Sequence, residues 1–399
     1  MSGTHMKRIL FVDDEPKVLH GLQRLLRPMR HEWEMAFAEG GSQALQLLAS
    51  QPFDVVVSDM RMPGIDGAAL LTEVMRRYPN VVRIILSGQS DRDLILRSMG
   101  CMHQFLSKPC EAQVLKGTIS RAFALRDLLA SERLKQLVLQ IQTLPSLPSL
   151  YVELTSEMQS AEPSMTKVAD IISRDIGMTA KVLQLVNSAF YGLREQVSSP
   201  AAAVNLLGVE TIKALVLSLH VFSQFDQTLL PNFSLAALWS HSLRVGDYAC
   251  KIFQLEQQME KTSDSALIAG LLHDSGKLIL AANLPRLYEE ALSVRQFEHV
   301  DLEEAERRVF GASHAEVGAY LLSLWGLPDA VIEAVAFHHQ PMKSAHHTFK
   351  ILTAVYAANV IEHQQTARGF EGQYSELNSE YLTQLGVTSR QAAWQELCR

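Results

Sequence analysis

The chain has 399 residues, too many for one ordinary core, so two or three domains are expected. With 47% apolar and 20% charged residues it reads as globular, and a net charge of −7 argues against coating nucleic acid or an anionic membrane surface. Four scattered cysteines (Cys101, Cys110, Cys250, Cys398) lack CxxC spacing, which argues against a disulfide framework or zinc ribbon.

Met1 to Met6 lacks the basic and apolar regions of a signal peptide, and no apolar run approaches the ~20 residues of a membrane span. A cytoplasmic protein with reduced thiols is the expectation. From residue 7 to about 125, β-rich runs alternate with amphipathic segments. Ile9-Leu10-Phe11-Val12, Val55-Val56-Val57 and Arg83-Ile84-Ile85-Leu86 read as parallel strands buried on both faces. Lys17 to Leu26, Ser42 to Ala49 and Ala68 to Tyr78 have helical spacing. The alternation predicts an α/β doubly wound, five-stranded parallel sheet with its active edge at the carboxyl ends of the strands.

Asp13-Asp14 follow the first strand and Asp59 the third, and those strand ends are neighbours at the switch point of such a sheet. Three crowded carboxylates repel one another unless a hard cation such as Mg²⁺ neutralises them. Ser87 and Lys108 add a hydroxyl and an ammonium to the rim, and Lys108-Pro109 is a candidate cis bond. Asp59 then reads as a nucleophile toward a phosphoryl donor, with Lys108 neutralising charge and Ser87 contacting the new phosphate. Solvated carboxylates in strand-end loops are the plainer explanation, and five coincident positions make it poor.

Residues 7–125 resemble the receiver domain of two-component response regulators. The resemblance rests on Phe11-Val12-Asp13-Asp14-Glu15, Ser58-Asp59-Met60-Arg61-Met62-Pro63 with Asp66-Gly67, Leu86-Ser87-Gly88 and Phe105-Leu106-Ser107-Lys108-Pro109. It implies that Asp59 is the phosphoacceptor and that Asp13, Asp14, Asp59 and the carbonyl of Arg61 hold Mg²⁺. It also puts Phe105 at the position of the aromatic switch residue. A sensor histidine kinase or phosphotransfer protein is the implied donor.

From Glu111 the pattern predicts a helix running past this domain, through a helical linker at 126–144. Leu134, Leu137, Ile141 and Leu144 form a stripe that suits either a homodimer seam or packing on the next domain. Beyond Pro148 the chain reads as one all-α domain over 145–363, followed by a polar extension, 364–399.

Within that region His273-Asp274 follows the apolar run 266–272 and precedes Ser275-Gly276-Lys277. Buried imidazole and carboxylate cost free energy unless paired, and a divalent metal is one explanation. On a continuous helix His273 and Lys277 would share a face, with Lys277 directed at a phosphate. His314 opens a helix behind a Ser313–Glu316 capping box, where neutral imidazole is favoured. His338-His339 close the helix 329–337. For any single histidine a plain hydrogen-bonded core role is the better bet, and the coincidence of five with one aspartate favours a metal site. His220, His299, His346, His347 and His363 are read as surface or structural residues.

This region resembles the HD superfamily of metal-dependent phosphohydrolases, and more closely its HDOD branch. The motifs are 144–148, 173–175, 183–191, 202–208, His241-Ser242, 271–277, 314–318 and His338-His339-Gln340-Pro341. The resemblance implies His241, His273, Asp274, His314, His338 and His339 as ligands for Fe, Mn or Zn. Asn359 stands where a final Asp is expected, and Asn is a weaker ligand. One function is therefore a signalling protein whose phosphorylation at Asp59 controls docking of a downstream protein partner by the HDOD domain. The alternative is a phosphorylation-gated metal-dependent phosphohydrolase for a cyclic dinucleotide or nucleotide, with Lys277 holding phosphate. A DNA-binding regulator has little support, because no helix-turn-helix stands out.

Overall fold

The computed structural model of the chain describes residues 6–399 apart from 88–100, 109, 130, 142–143, 147, 159, 161, 188–195, 214–222, 225–232, 258–259, 346–347 and 367–375. Five parallel strands form one sheet: β1 (Lys7–Val12), β2 (Trp33–Ala38), β3 (Val55–Ser58), β4 (Val82–Ser87) and β5 (Gln104–Ser107). Their order is β2-β1-β3-β4-β5. Ile9 and Phe11 face one apolar layer while Leu10 and Val12 face the other, so the strand needs apolar residues at consecutive positions. Helices α1 (Pro16–Leu25), α2 (Gly41–Ser50), α3 (Gly67–Arg77) and α4 (Ala112–Leu128) supply the covering residues. β1 and β3 pair with Val12 opposite Ser58, which brings Asp13 and Asp59 out side by side at the reversal of strand order.

The helix expected to run on from Glu111 stops at Leu128. Ser131 then caps α5 (Glu132–Gln140) by accepting from the Leu134 amide. Leu134, Ile141 and Leu144 are buried, with Leu137 packed against the same layer. That layer continues from the sheet into the helical region, so the stripe is spent on packing within the chain.

The helical region comprises α6 (Pro148–Met158), α7 (Met165–Ser173), α8 (Ile176–Asn187), α9 (Pro200–Lys213), α10 (Leu235–Gln257), α11 (Glu260–Leu272), α12 (Ser275–Asn283), α13 (Pro285–Glu298), α14 (Leu302–Phe310), α15 (His314–Leu324), α16 (Asp329–Phe337) and α17 (Ile351–Thr366). Contrary to a strictly helical expectation, Pro145–Ser146 pairs in parallel with Ser223–Gln224. The segment Asp264–Asn283 is, against expectation, as long and apolar as a bilayer span, but 78% of it is buried inside the fold. The segment after 364, read as a polar extension, adds α18 (Ser379–Gln384) and α19 (Gln391–Leu397). Fully buried Trp394 donates to Glu256 Oε1 of α10 at 2.7 Å, and Tyr381 meets Thr353 of α17 at 2.9 Å.

The two regions touch through α4 and α5, both packed on α15. Gln104 Nε2 of β5 donates to the Ser323 carbonyl at 2.6 Å, and Arg121 pairs with Asp329 at 2.7 Å. Deeper in, Arg83 Nη2 donates to the Leu139 carbonyl at 3.0 Å.

Candidate functional site

The sheet edge brings the predicted acids together. Lys108, just beyond β5, places Nζ 2.6 Å from Asp13 Oδ2 and also donates to Asp59 Oδ1. Asp59 Oδ2 accepts from the Arg61 amide at 2.6 Å, and Asp13 Oδ1 from the Glu15 amide at 3.0 Å. Asp13 and Asp59 are buried and Asp14 half-buried. The loop after β3 must fold tightly over Asp59: a Cβ on Gly67 would lie 2.2 Å from the Asp59 carbonyl oxygen. Asp66 caps α3 beside it by accepting from the Ala69 amide.

Burial raises the Asp59 pKa, and this outweighs the opposing pull of Lys108 and the Arg61 amide. Burial lowers that of Lys108, but bonds to Asp13 and Asp59 carry it upward. Three carboxylates against one ammonium leave excess negative charge on oxygen donors, a set that fits a hard divalent cation. Phe105 is buried opposite Ile85. Ser87 ends β4 opposite Ser107, while its side chain and Pro109, with the suggested cis bond, lie outside the described residues.

The second cluster lies at a helix junction. His273 and Asp274 form a turn between α11 and α12 instead of sitting within one helix, and Asp274 is the residue before α12 begins. Lys277 therefore does not align with His273; its Nζ bonds Asp274 Oδ2 at 2.6 Å. Close packing carries α15 onto this junction, since a Cβ on Gly276 would lie 1.9 Å from the His314 carbonyl oxygen. The predicted capping box at Ser313 and Glu316 is present.

Ligand atoms of Asp274, His314, His338 and His339 lie within 4.8 Å of one another, as do those of His241, His273 and Asp274. Asp274 faces both groups. Its Oδ2 is 3.5 Å from His241 Nε2 and 3.4 Å from His273 Nε2, and its Oδ1 is 3.2 Å from His314 Nε2 and 3.7 Å from His338 Nε2. Apart from this 3.2 Å contact with His314, buried Asp274 Oδ1 has no hydrogen-bond partner among the described residues, and neither has buried His338 Nε2. An orphaned carboxylate oxygen and an orphaned imidazole nitrogen side by side fit a bound cation.

The Nδ1 atoms of four of these histidines are engaged. His273 Nδ1 meets the Gly270 carbonyl at 2.6 Å and His338 Nδ1 the Val335 carbonyl at 2.8 Å. His241 Nδ1 meets Glu362 Oε2 at 2.5 Å and His314 Nδ1 meets Glu306 Oε2 at 2.6 Å. Nε2 atoms then face each other in two pairs, His241 with His273 at 3.1 Å and His314 with His339 at 3.0 Å. Two facing lone pairs need a proton or a cation between them.

Burial lowers the His273 pKa to about 3 and those of His338 and His339 well below the ordinary value. Burial would lower His314 too, but Glu306 and Asp274 raise it to about 9. This upward pull runs against the neutral ring expected at that helix start, and any proton held there would leave as a metal binds. Burial pushes Asp274 upward, and His273 and Lys277 pull it well below the carboxylate range.

Three residues at this site escaped the sequence reading. His363, read as a surface or structural residue, stacks on His241 with ring centroids 4.7 Å apart. Glu362 and Glu306 contact ligand histidines directly. A carboxylate within the buried run Ile351–Glu362 of α17 was a signal in itself. Asn359, one turn before Glu362, is buried, and its Oδ1 has no hydrogen-bond partner among the described residues. His346 and His347 lie outside the described residues.

Residues 9–120 match the family model of the response regulator receiver domain, and residues 144–341 match that of the HDOD domain. Among solved structures, the MmoQ response regulator from Methylococcus capsulatus str. Bath aligns with a TM-score of 0.50 and 24% identity, over 64% of this chain and 97% of that one. This likeness concerns the fold. A Treponema pallidum (strain Nichols) protein of uncharacterized function is 24% identical over 63% of this chain and 48% of its own length. The hydrogenase transcriptional regulatory protein HoxA of Cupriavidus necator is 31% identical over 39% of this chain and 31% of its own length. The chain spans less than half the length of these curated relatives.

Proposed function

Because this chain is a two-component response regulator that joins an N-terminal receiver domain to a C-terminal HDOD domain, we propose that phosphoryl transfer to Asp59 controls the HDOD domain through β5 and α15. One observation carries the reading. Lys108, bonded to Asp59, directly follows β5; Gln104 of β5 holds Ser323 near the end of α15; and His314 begins α15 inside the histidine centre. A change at Asp59 therefore has a continuous packed route to Asp274.

In the transfer step an Asp59 carboxylate oxygen forms a bond to phosphorus as the donor's bond to phosphorus breaks, and the donor leaves with that electron pair. The donor is a sensor histidine kinase, a phosphotransfer protein or a small phosphoanhydride. Lys108 moves from the carboxylate oxygen toward the incoming phosphoryl oxygens and offsets their charge. Mg²⁺ bound by Asp13, Asp14, Asp59 and the Arg61 carbonyl would supply further charge neutralisation. Ser87 would contact the phosphoryl group, and buried Phe105 would repack as β5 adjusts. The output is a docking surface for a downstream protein partner, in the cytoplasm.

A second reading, metal-dependent hydrolysis of a nucleotide phosphodiester, is favoured by the orphaned Asp274 Oδ1 and His338 Nε2. His241, His273, Asp274, His314, His338 and His339 would hold Fe, Mn or Zn, and Lys277 would leave Asp274 to meet a phosphate. The test incubates the protein with acetyl phosphate and Mg²⁺, then compares partner capture and phosphodiester turnover with and without the adduct. Asp59→Asn should abolish uptake; uptake that persists would overturn the acceptor assignment. A phosphate-dependent change in partner capture supports the docking output, and turnover without one supports hydrolysis.

A further inference from the structure

The two histidines at the ends of the cluster are held differently from those at its middle. His273 and His338 give their outer nitrogens to carbonyls three residues earlier, whereas His241 and His314 face carboxylates from other helices. We propose that Glu362 and Glu306 are the outer carboxylates of the metal centre, positioning residues that hold His241 and His314 with hydrogen on Nδ1 and Nε2 directed at the cation. Glu306 also supplies negative charge that Asn359 does not. This inference rests on the reading that the cluster binds metal.

Helix capping does not account for Glu306, and the Arg244 pair accounts for only one oxygen of Glu362. Glu306 Oε2 accepts both the His314 amide at 2.8 Å and the ring Nδ1 at 2.6 Å, yet the start of α15 is already capped by Ser313 and Glu316. Glu306 is fully buried and its Oε1 has no hydrogen-bond partner among the described residues, an expensive placement for a carboxylate serving only as a cap. Glu362 is buried at the end of a continuously buried stretch of α17. Arg244 holds its Oε1, with Nε at 2.8 Å, and so fixes the carboxylate plane with Oε2 on His241.

Charge points the same way. Lys277 already offsets Asp274, the one carboxylate among the inner residues, and the imidazoles bring none. A divalent ion placed there needs compensating charge close by. Glu306 delivers it through the His314 imidazole, while Glu362, its charge partly offset by Arg244, orients His241; both contacts raise ligand basicity and fix the tautomer. Asn359 lies one helical turn from Glu362, so α17 retains an acid on the same face although the expected position is neutral.

The test uses the full chain, stripped of metal and titrated calorimetrically with Mn²⁺ alone, alongside Glu306→Gln, Glu362→Gln and Glu362→Asp. Imidazole ¹⁵N spectra of the metal-free proteins report which ring nitrogens carry hydrogen. Both Gln variants should bind Mn²⁺ about 10- to 100-fold more weakly. Glu362→Asp should recover part of the loss, and the wild type should show His241 and His314 protonated at Nδ1. Should Glu306→Gln not fold, Glu362→Gln and its Asp partner still decide. Gln variants with wild-type affinity, or a wild-type His241 bare at Nδ1, would overturn this inference alone. A wild type that takes up no Mn²⁺, Fe²⁺ or Zn²⁺ would overturn it together with the metal reading beneath it.

Discussion

The guanidinium of Arg83, at the start of β4, donates to the Leu139 carbonyl of α5 at 3.0 Å, fastening the receiver sheet to the linker helix from inside the protein. Arg83 also donates to the carbonyls of Cys101 (2.6 Å) and Val81 (3.1 Å) and lies 3.1 Å from His103 Nε2. Burial lowers its pKa only to about 10, so it stays charged at neutral pH. Arg83→Met would leave the Cys101 and Val81 carbonyls short of a donor, while His103 Nε2, 2.8 Å from the Leu139 carbonyl, still serves that one. A loss of about 2 kcal/mol is expected in urea unfolding. An unchanged midpoint would show that the cation is not holding the junction.

The two polar links between β5–α4 and the helical domain should differ in weight. Gln104→Leu removes the bond to the Ser323 carbonyl and should cost about 1 kcal/mol. Asp329→Ala breaks the pair with Arg121, but the Asp329 side chain is 68% exposed, and less than about 0.5 kcal/mol should be lost. Denaturation midpoints of the two variants and the double variant check the ranking. An Asp329 effect larger than that of Gln104 would reverse it.

Burial raises the folded-state pKa of Asp59, so folding favours its protonated form. The resulting stability is fully present below the ordinary value of 3.8 and is lost as pH rises through the folded pKa. At neutral pH the ionised side chain is therefore a cost, and Asp59→Asn should stabilise the metal-free protein. That advantage should shrink steadily on acidification. Urea titrations at several pH values measure it, and a destabilised Asn variant at neutral pH would contradict the electrostatics.

Gly276→Ala should be severe although the change is one methyl group. The added Cβ would meet the His314 backbone, which a side-chain rotation cannot relieve. A loss of about 3 kcal/mol is expected, with metal uptake impaired because α12 and α15 are forced apart at the cluster. Thermal melts and metal analysis of the purified variant check both effects. Wild-type stability would show that the helices cross less tightly.

Much of this site was legible in the sequence, for reasons that differ between domains. Asp13 and Asp59 follow apolar strands that are neighbours in the sheet, while Lys108 follows β5, two strands from β3, and meets them through its long side chain. His273-Asp274 stood out against an apolar run, but the run hid a break: α11 ends at Leu272 and α12 begins at Ser275, and Lys277 bonds Asp274. Glu306 lies 8 residues from His314 and Glu362 lies 121 residues from His241. Contacts that far apart are set by how helices cross, which periodicity does not encode. The stripe from Leu134 to Leu144 was legible as apolar, but its occupant was not, since a dimer and a neighbouring domain ask for the same residues.

The account stands most directly on amide hydrogen exchange across α15, measured with Mg²⁺ alone and with Mg²⁺ plus acetyl phosphate while mass spectrometry follows the adduct on Asp59. Exchange at residues 314–324 should change in step with the adduct, weaken in Gln104→Leu and stay flat in Asp59→Asn. A fully phosphorylated wild type whose α15 exchanges as before would contradict the proposed route from Asp59 to the histidine centre.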